Sequence, residues 1–161
     1  MTTASSPRRT DSASRRIDAP PDAVYRSFES ADSLMQWLPP SKMSGRALEY
    51  DFRQGGRYRI QLRYEDAKDL GSAKSGDRTD ISSGHFVELL PGKRIVQSVE
   101  FQSDDPAFAG TMTMTWSFEP EHGGTKVSVS AAGVPSGISK ADHDAGLKSS
   151  LDNLARFIEQ R

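Results

Sequence analysis

The chain has 161 residues; 35% are hydrophobic, 27% are charged, and 21 basic residues nearly balance 22 acidic ones. This length fits one domain of common size, and the near-neutral charge gives no electrostatic reason to expect nucleic-acid binding. Without cysteine there are no disulfides, thiolate metal sites or cysteine nucleophiles, and no apolar run approaches the roughly 20 residues needed for membrane insertion.

The first segment is predicted to be a disordered tail. Residues 1–13 contain no large apolar side chain except Met1, so they cannot offset the entropy lost on ordering. They also lack the apolar core of a secretory signal, and we expect a cytoplasmic protein whose residues 14–161 form one domain. A basic cluster in and after the tail predicts a solvated arm, with a polyanion contact as the alternative: Arg8, Arg9, Arg15 and Arg16.

Two short helices are predicted after a brief strand that ends at Asp18. Pro20 and Pro21 open the first helix, because proline is tolerated where the backbone N–H has no helical partner. The second helix carries Trp37 among its apolar residues. It ends before the Pro39-Pro40 pair, since proline disfavours the helical conformation at the preceding residue.

From residue 44 to residue 132 the apolar period changes from 3.6 to 2, which predicts antiparallel strands that are buried on one face. Glycine-containing turns separate these strands, and a polar loop is predicted over residues 66–79. The alternating apolar residues that define the clearest strands are Leu48, Tyr50 and Phe52; Tyr58, Ile60, Leu62 and Tyr64; Met112, Met114, Trp116 and Phe118; and Val127, Val129 and Ala131.

A long amphipathic helix is predicted from Ser139, as N-cap, to the end of the chain. Its apolar residues recur at the helical spacing i, i+4, i+7, i+11: Leu147, Leu151, Leu154 and Ile158. A helix of this length can lie across a whole sheet. The pattern therefore predicts an α+β protein in which a six- to seven-stranded antiparallel sheet is covered by one C-terminal helix.

Several short motifs occur in an order that is typical of a known family. They are Ile17-Asp18-Ala19-Pro20, Gln36-Trp37-Leu38-Pro39-Pro40, residues 51–58 (DFRQGGRY), residues 84–91 (GHFVELLP), residues 123–127 (GGTKV) and residues 150–154 (SLDNL). With this order the chain resembles the START-like, or SRPBCC, superfamily. Within it, the chain is similar to single-domain bacterial members of the family named after the activator of heat-shock protein 90 ATPase.

The resemblance implies a helix-grip fold, like that of the birch pollen allergen, in which a curved sheet grips the terminal helix around an apolar cavity. Relatives include carriers of lipids and other hydrophobic molecules, cyclases and aromatases, co-chaperone domains and uncharacterised stress-linked proteins. The family often has Gly-Trp in the terminal helix, where this chain has Gly146-Leu147. Loss of the indole is expected to enlarge or reshape the cavity.

The alternating strand residues and the first turns of the terminal helix are the candidate ligand site. The residues predicted to line it are Trp37, Tyr58, Ile60, Leu62, Tyr64, Met112, Met114, Trp116, His143, Gly146, Leu147 and Ser150. Apolar walls with few polar groups are usual for small-molecule sites. By alternation alone, the same residues can equally pack a solid core, and the tyrosine hydroxyls can equally be satisfied inside the protein.

The three histidines lack the spacing of a metal site, and no cofactor motif is present. His85 is predicted to face solvent because it alternates with Phe86; a reversed or bulged register would instead bring it into the cavity as a candidate general base. His143 begins the helix face that covers the sheet, so it is the preferred candidate for an acid or base, together with Tyr64.

Three functions follow from these observations. The first is non-enzymatic binding of a hydrophobic or aromatic small molecule in the cavity. The second is a cyclase- or aromatase-type reaction that uses His143 and Tyr64 in the same cavity. The third is a co-chaperone-like protein contact linked to stress response. A monomer or a weak dimer through an edge strand is expected.

Overall fold

The computed structural model describes residues 8–40, 43–64 and 79–160. In chain order the elements are β1 (Arg9–Ile17), α1 (Pro21–Arg26), α2 (Ala31–Met35), β2 (Met43–Tyr50), β3 (Arg57–Tyr64), β4 (Thr79–Leu90), β5 (Arg94–Phe101), a 3-10 helix (Pro106–Phe108), β6 (Met112–Glu121), β7 (Gly124–Val134) and α3 (Lys140–Glu159). The predicted loop over residues 66–79 lies outside the described residues except for Thr79, which begins β4.

All seven strands form one antiparallel sheet in the order β1-β7-β6-β5-β4-β3-β2. Strands β2 to β7 are a meander, because each pairs with its neighbour in sequence; β1 crosses to the far edge and pairs with β7. The helix α3 lies against one face of this sheet. The predicted α+β architecture of a curved sheet and a long C-terminal helix is therefore confirmed.

The alternating pattern places the core on the face of the sheet that meets α3. In β3, Tyr58 and Ile60 are buried while Arg57 and Arg59 are exposed. Leu151 of α3 belongs to the same apolar cluster. The burial of these side chains is the main stabilising contribution, at roughly 1.5–3 kcal/mol for each large apolar side chain.

Leu48 departs from the predicted pattern because it is 39% exposed. The register of β2 against β3 shifts between Ala47 and Glu49. An extra residue in one strand of an antiparallel pair turns the following side chains to the other face. Strict alternation therefore does not hold in β2.

The predicted tail is too long, because β1 begins at Arg9 rather than after residue 13. The strand is ordered by its ladder of backbone pairs with β7 and by the burial of Asp11, which is fully buried. Residues 1–7 lie outside the described residues. The prediction failed because polar contacts, rather than apolar side chains, stabilise the beginning of this strand.

The predicted boundaries of α3 are close to those observed. The Ser139 side chain accepts a hydrogen bond from the Asp142 backbone N–H at 3.1 Å, which confirms Ser139 as the N-cap. No helix in the described part of the chain has a stretch long and apolar enough to cross a membrane.

Candidate functional site

A cavity of about 630 Å3 lies between α3 and the inner face of the sheet; we call it the sheet–helix cavity. Its walls come from β2 to β6, from α2 and the segment after it, from the 3-10 helix, and from the chain leading into α3. A cavity of this size falls within the range of pockets that bind small molecules.

Eleven of the twelve predicted site residues line the sheet–helix cavity: Tyr58, Ile60, Leu62, Tyr64, Met112, Met114, Trp116, His143, Gly146, Leu147 and Ser150. They come from β3, β6 and the first half of α3, so the structure places around one cavity the strand and helix faces that the sequence pattern indicated. Their role in binding a ligand stays a prediction.

Trp37 is the exception, because it is fully buried behind the cavity wall. Its ring packs edge-to-face on Phe28 and on Trp116, with centroid distances of 4.8 and 5.8 Å. Its indole N–H donates to the Ser27 carbonyl at 3.0 Å. Trp37 therefore supports two cavity-lining rings but does not reach the cavity itself.

Hydrogen bonds join α3 to the segments on both of its sides. On one side, Arg15 of β1 donates to Asp152 at 2.7 Å. On the other side, Ser150 donates to the Leu38 carbonyl at 2.9 Å, and Asn153 donates to the Pro39 carbonyl at 3.0 Å. These contacts connect α3 to β1 and to the segment after α2.

Gly146 enlarges the cavity at the centre of the helix surface that faces it. A Cβ built on Gly146 would find no atom within 4 Å. Glycine inside a helix costs roughly 0.5–1 kcal/mol relative to alanine. The helix therefore carries a residue that weakens it at a position where the surroundings leave room for a side chain.

Several polar side chains that line the cavity are already satisfied by the protein. The Tyr58 hydroxyl donates to the Ser98 carbonyl at 2.5 Å, and the Tyr64 hydroxyl donates to Asp80 Oδ2 at 3.2 Å. The Trp116 indole N–H donates to Gln97 Oε1 at 3.1 Å. Burial raises the pKa of the Tyr58 hydroxyl above its ordinary value, so this group stays protonated at neutral pH.

A polar cluster at the N-terminal end of α3 was missed from the sequence. His143 Nδ1 lies 2.8 Å from Asp11 Oδ2. Arg9 Nε donates to both Asp11 oxygens, at 2.8 and 3.0 Å, and Lys140 Nζ lies 3.6 Å from Asp11 Oδ1. The hydrogen bond from Arg9 lowers the pKa of Asp11 to about 2, which outweighs the opposing effect of burial.

One signal in the sequence could have revealed this cluster. Asp11, Ala13 and Ile17 have the spacing of one strand face, and that face packs against α3. Residues up to 13 were assigned to the tail because they contain no large apolar side chain except Met1.

The other histidines lie away from the cavity. His85 is exposed and its Nδ1 is 3.1 Å from Ser98 Oγ, while Phe86 beside it is buried. His122 is in an exposed turn with a φ of 48°. Within the described ranges, no three His, Asp or Glu side chains come together as the ligands of a metal would.

Comparisons with known proteins agree with this geometry. A family model described as Activator of Hsp90 ATPase homolog 1-like protein matches residues 18–159. A solved structure of a protein from Chromobacterium violaceum is 31% identical, with a TM-score of 0.82, and the match covers 93% of this chain and 96% of that one. The comparison with curated protein sequences gives no match.

Two more distant structures support the fold alone. An AHSA1-like protein from Aeromonas hydrophila is 21% identical, with a TM-score of 0.70 and coverage of 94% of this chain and 93% of that one. A protein from Mesorhizobium loti is 19% identical, with a TM-score of 0.72 and coverage of 94% and 98%.

Proposed function

The chain belongs to the Activator of Hsp90 ATPase homolog 1-like family, and from this premise we propose that it binds an apolar small molecule in the sheet–helix cavity without turnover. The family and its fold indicate a ligand-binding domain or a co-chaperone-like domain. The cavity favours the first of these, because a deep and mostly apolar pocket is the usual form of a small-molecule site.

The observation that carries the proposal is the open space at Gly146. A core selected only for stability is packed without voids much larger than a water molecule. Here about 630 Å3 stays open beneath a helix glycine whose replacement by alanine would meet no steric obstacle. The space and the glycine together are best explained by a bound molecule.

The chemistry of the walls indicates the class of that molecule. Ile60, Leu62 and Leu147 contribute aliphatic surface, and Met112 and Met114 contribute flexible thioethers. Methionine adapts to irregular shapes and contacts aromatic rings favourably. An aromatic or branched aliphatic molecule fits such walls better than a strongly polar one.

The test is calorimetric titration of the purified protein with naphthalene as an apolar probe. We expect saturable binding at one site, and recovery of the probe with unchanged mass. Gly146→Trp is expected to abolish binding, because the indole would occupy the open space. Ala141→Trp is the matched control: Ala141 is an exposed residue of the same helix and does not line the cavity, so this variant is expected to bind as the original protein does.

Naphthalene binding that is equal in the two tryptophan variants would locate the probe elsewhere and refute the proposed site. A recovered product of different mass would refute binding without turnover and favour an enzyme. Native mass spectrometry of the protein from its own host is the companion measurement, because a stoichiometric added mass that is lost on denaturation would identify the natural ligand.

A further inference from the structure

We infer that Asp11 and His143 form the polar anchor of the sheet–helix cavity, and that the ligand is an apolar molecule with a hydroxyl group that donates to His143 Nε2. This inference rests on the proposed function and adds to it the chemical class of the ligand. Asp11 is a positioning residue, because it acts through His143.

The first step is the protonation of the His143 ring. An ionised carboxylate can only accept hydrogen bonds, so the 2.8 Å contact with Asp11 Oδ2 requires the proton on Nδ1. Asp11 stays ionised because Arg9 donates to both of its oxygens. In a neutral imidazole with its proton on Nδ1, Nε2 carries a lone pair and is an acceptor.

The second step is the accessibility of Nε2. His143 lines the sheet–helix cavity and its side chain is 14% exposed. In the described part of the chain, Nε2 makes no hydrogen bond and is not among the buried polar atoms that lack a partner. An acceptor of fixed orientation is therefore available at the cavity wall.

The third step concerns the other polar groups. The hydrogen-bonding side chains of Tyr58, Trp116 and Ser150 already contact protein acceptors. A polar group on the ligand consequently has a better partner at His143 than at these residues, because it need not break an existing hydrogen bond.

The fourth step is the charge of the ligand. The charged side chains that contact or surround His143 are those of Arg9, Asp11, Lys140, Asp142 and Asp144. The two cations are engaged by Asp11 and Asp144, whereas Asp142 lines the cavity itself. A carboxylate ligand would face this acid and the Nε2 lone pair, so a neutral hydroxyl is the favoured donor.

The experiment compares three probes with the same apolar body: naphthalene, 2-naphthol and 2-methoxynaphthalene. The net contribution of a hydrogen bond predicts that 2-naphthol binds about 5- to 10-fold more tightly than naphthalene. The methyl ether keeps the oxygen but cannot donate, so it is expected to gain no comparable affinity. An equal gain for the methyl ether would show that Nε2 donates, and would overturn the inference.

Variants then assign the preference to His143. In His143→Phe the ratio of the affinities for 2-naphthol and naphthalene is expected to fall to about one. His85→Phe is the matched control, because His85 is exposed and outside the cavity, and it is expected to keep the full ratio. A ratio that persists in His143→Phe would refute the anchor.

Nitrogen-15 NMR of the imidazole ring tests the role of Asp11 without a ligand. We expect the Nδ1–H tautomer at His143 in the original protein. In Asp11→Asn the side-chain amide can donate to Nδ1, and the tautomer and the 2-naphthol preference are expected to change together. An Nε2–H tautomer in the original protein would overturn the inference. Failure of all three probes to bind would refute the proposed function instead. The NMR result would still decide how Asp11 and His143 are arranged.

Discussion

Gly146→Ala is expected to make the protein more stable, although it changes a residue of the proposed binding site. Gly146 lies well inside the 20-residue helix α3, where alanine is favoured over glycine by about 0.8–1 kcal/mol. The added Cβ would meet no atom within 4 Å, so no steric penalty opposes this gain. Part of the effect arises in the unfolded chain, because alanine has fewer backbone conformations to lose.

The assay is equilibrium unfolding in guanidinium chloride, followed by thermal unfolding. The free energy of unfolding is expected to rise by about 1 kcal/mol with an unchanged denaturant slope. A change of this size corresponds to roughly 2–4 °C in Tm for a protein of this length.

Gly84→Ala is the matched control, because the same glycine-to-alanine change is expected to lower the free energy of unfolding there. A Cβ on Gly84 in β4 would collide with the backbone carbonyl of Ser98 in the paired strand β5. Backbone atoms cannot move aside as a flexible side chain can, so the free energy of unfolding is expected to fall by about 1–3 kcal/mol. A Gly146→Ala protein that is equally or less stable than the original would refute the argument that the helix gives up stability to keep the cavity open.

Two further outcomes are expected. Arg9 lowers the pKa of Asp11 from 3.8 to about 2, so the Asp11 contribution to stability is fully present above about pH 4 and is lost as the pH falls towards 2. We expect the free energy of unfolding of Asp11→Asn to be about 1–2 kcal/mol lower at pH 6; the value is modest because the exposure of Arg9 to solvent weakens the pair. Urea unfolding is expected to show this difference shrinking between pH 4 and pH 2. A difference that stays constant over this range would contradict the assignment of the effect to the Asp11 charge. Trp37→Phe is expected to lower the free energy of unfolding by about 2–3 kcal/mol, because it leaves space behind the cavity wall and removes the donor to the Ser27 carbonyl. Its naphthalene affinity in calorimetry is expected to fall far less than that of Gly146→Trp, because Trp37 only supports lining rings; an equal loss would mean that Trp37 reaches the ligand.

Strands β3, β6 and β7 and the long helix could be predicted because each carries apolar and polar side chains on opposite faces. In β3 every second side chain is polar (Arg57, Arg59, Gln61 and Arg63), so the buried face follows directly from alternation. In α3 the repeat from Leu147 to Ile158 identifies the buried face, and Ser139 marks the start. The bulge at Leu48 was not predictable in this way, because an extra residue is defined only by the register of the paired strand.

The site was predicted less completely than the fold, for a different physical reason. Alternation shows which side chains face α3, but the same pattern is produced by a solid core and by a cavity. Phe108 lines the cavity from the three-residue 3-10 helix, and Ile138 lines it from the loop before α3; both segments are too short for a period to mark the inward side. Trp37 was predicted to line the cavity, yet only its packing against Phe28 and Trp116 decides which ring faces the open space.

The polar cluster explains how a strand poor in apolar residues and a cavity wall depend on one another. The carboxylate of Asp11 is buried, and a buried charge is tolerated only when it is paired and hydrogen-bonded. Arg9 comes from the same strand, whereas His143 and Lys140 come from α3. The contacts that offset the burial of Asp11 therefore also join the N-terminal end of α3 to the edge of the sheet and fix the His143 ring at the cavity wall. Loss of the β1 residues before Ala13 would consequently disturb the cavity as well as the strand, which is why a segment that looks like a dispensable tail belongs to the proposed binding site.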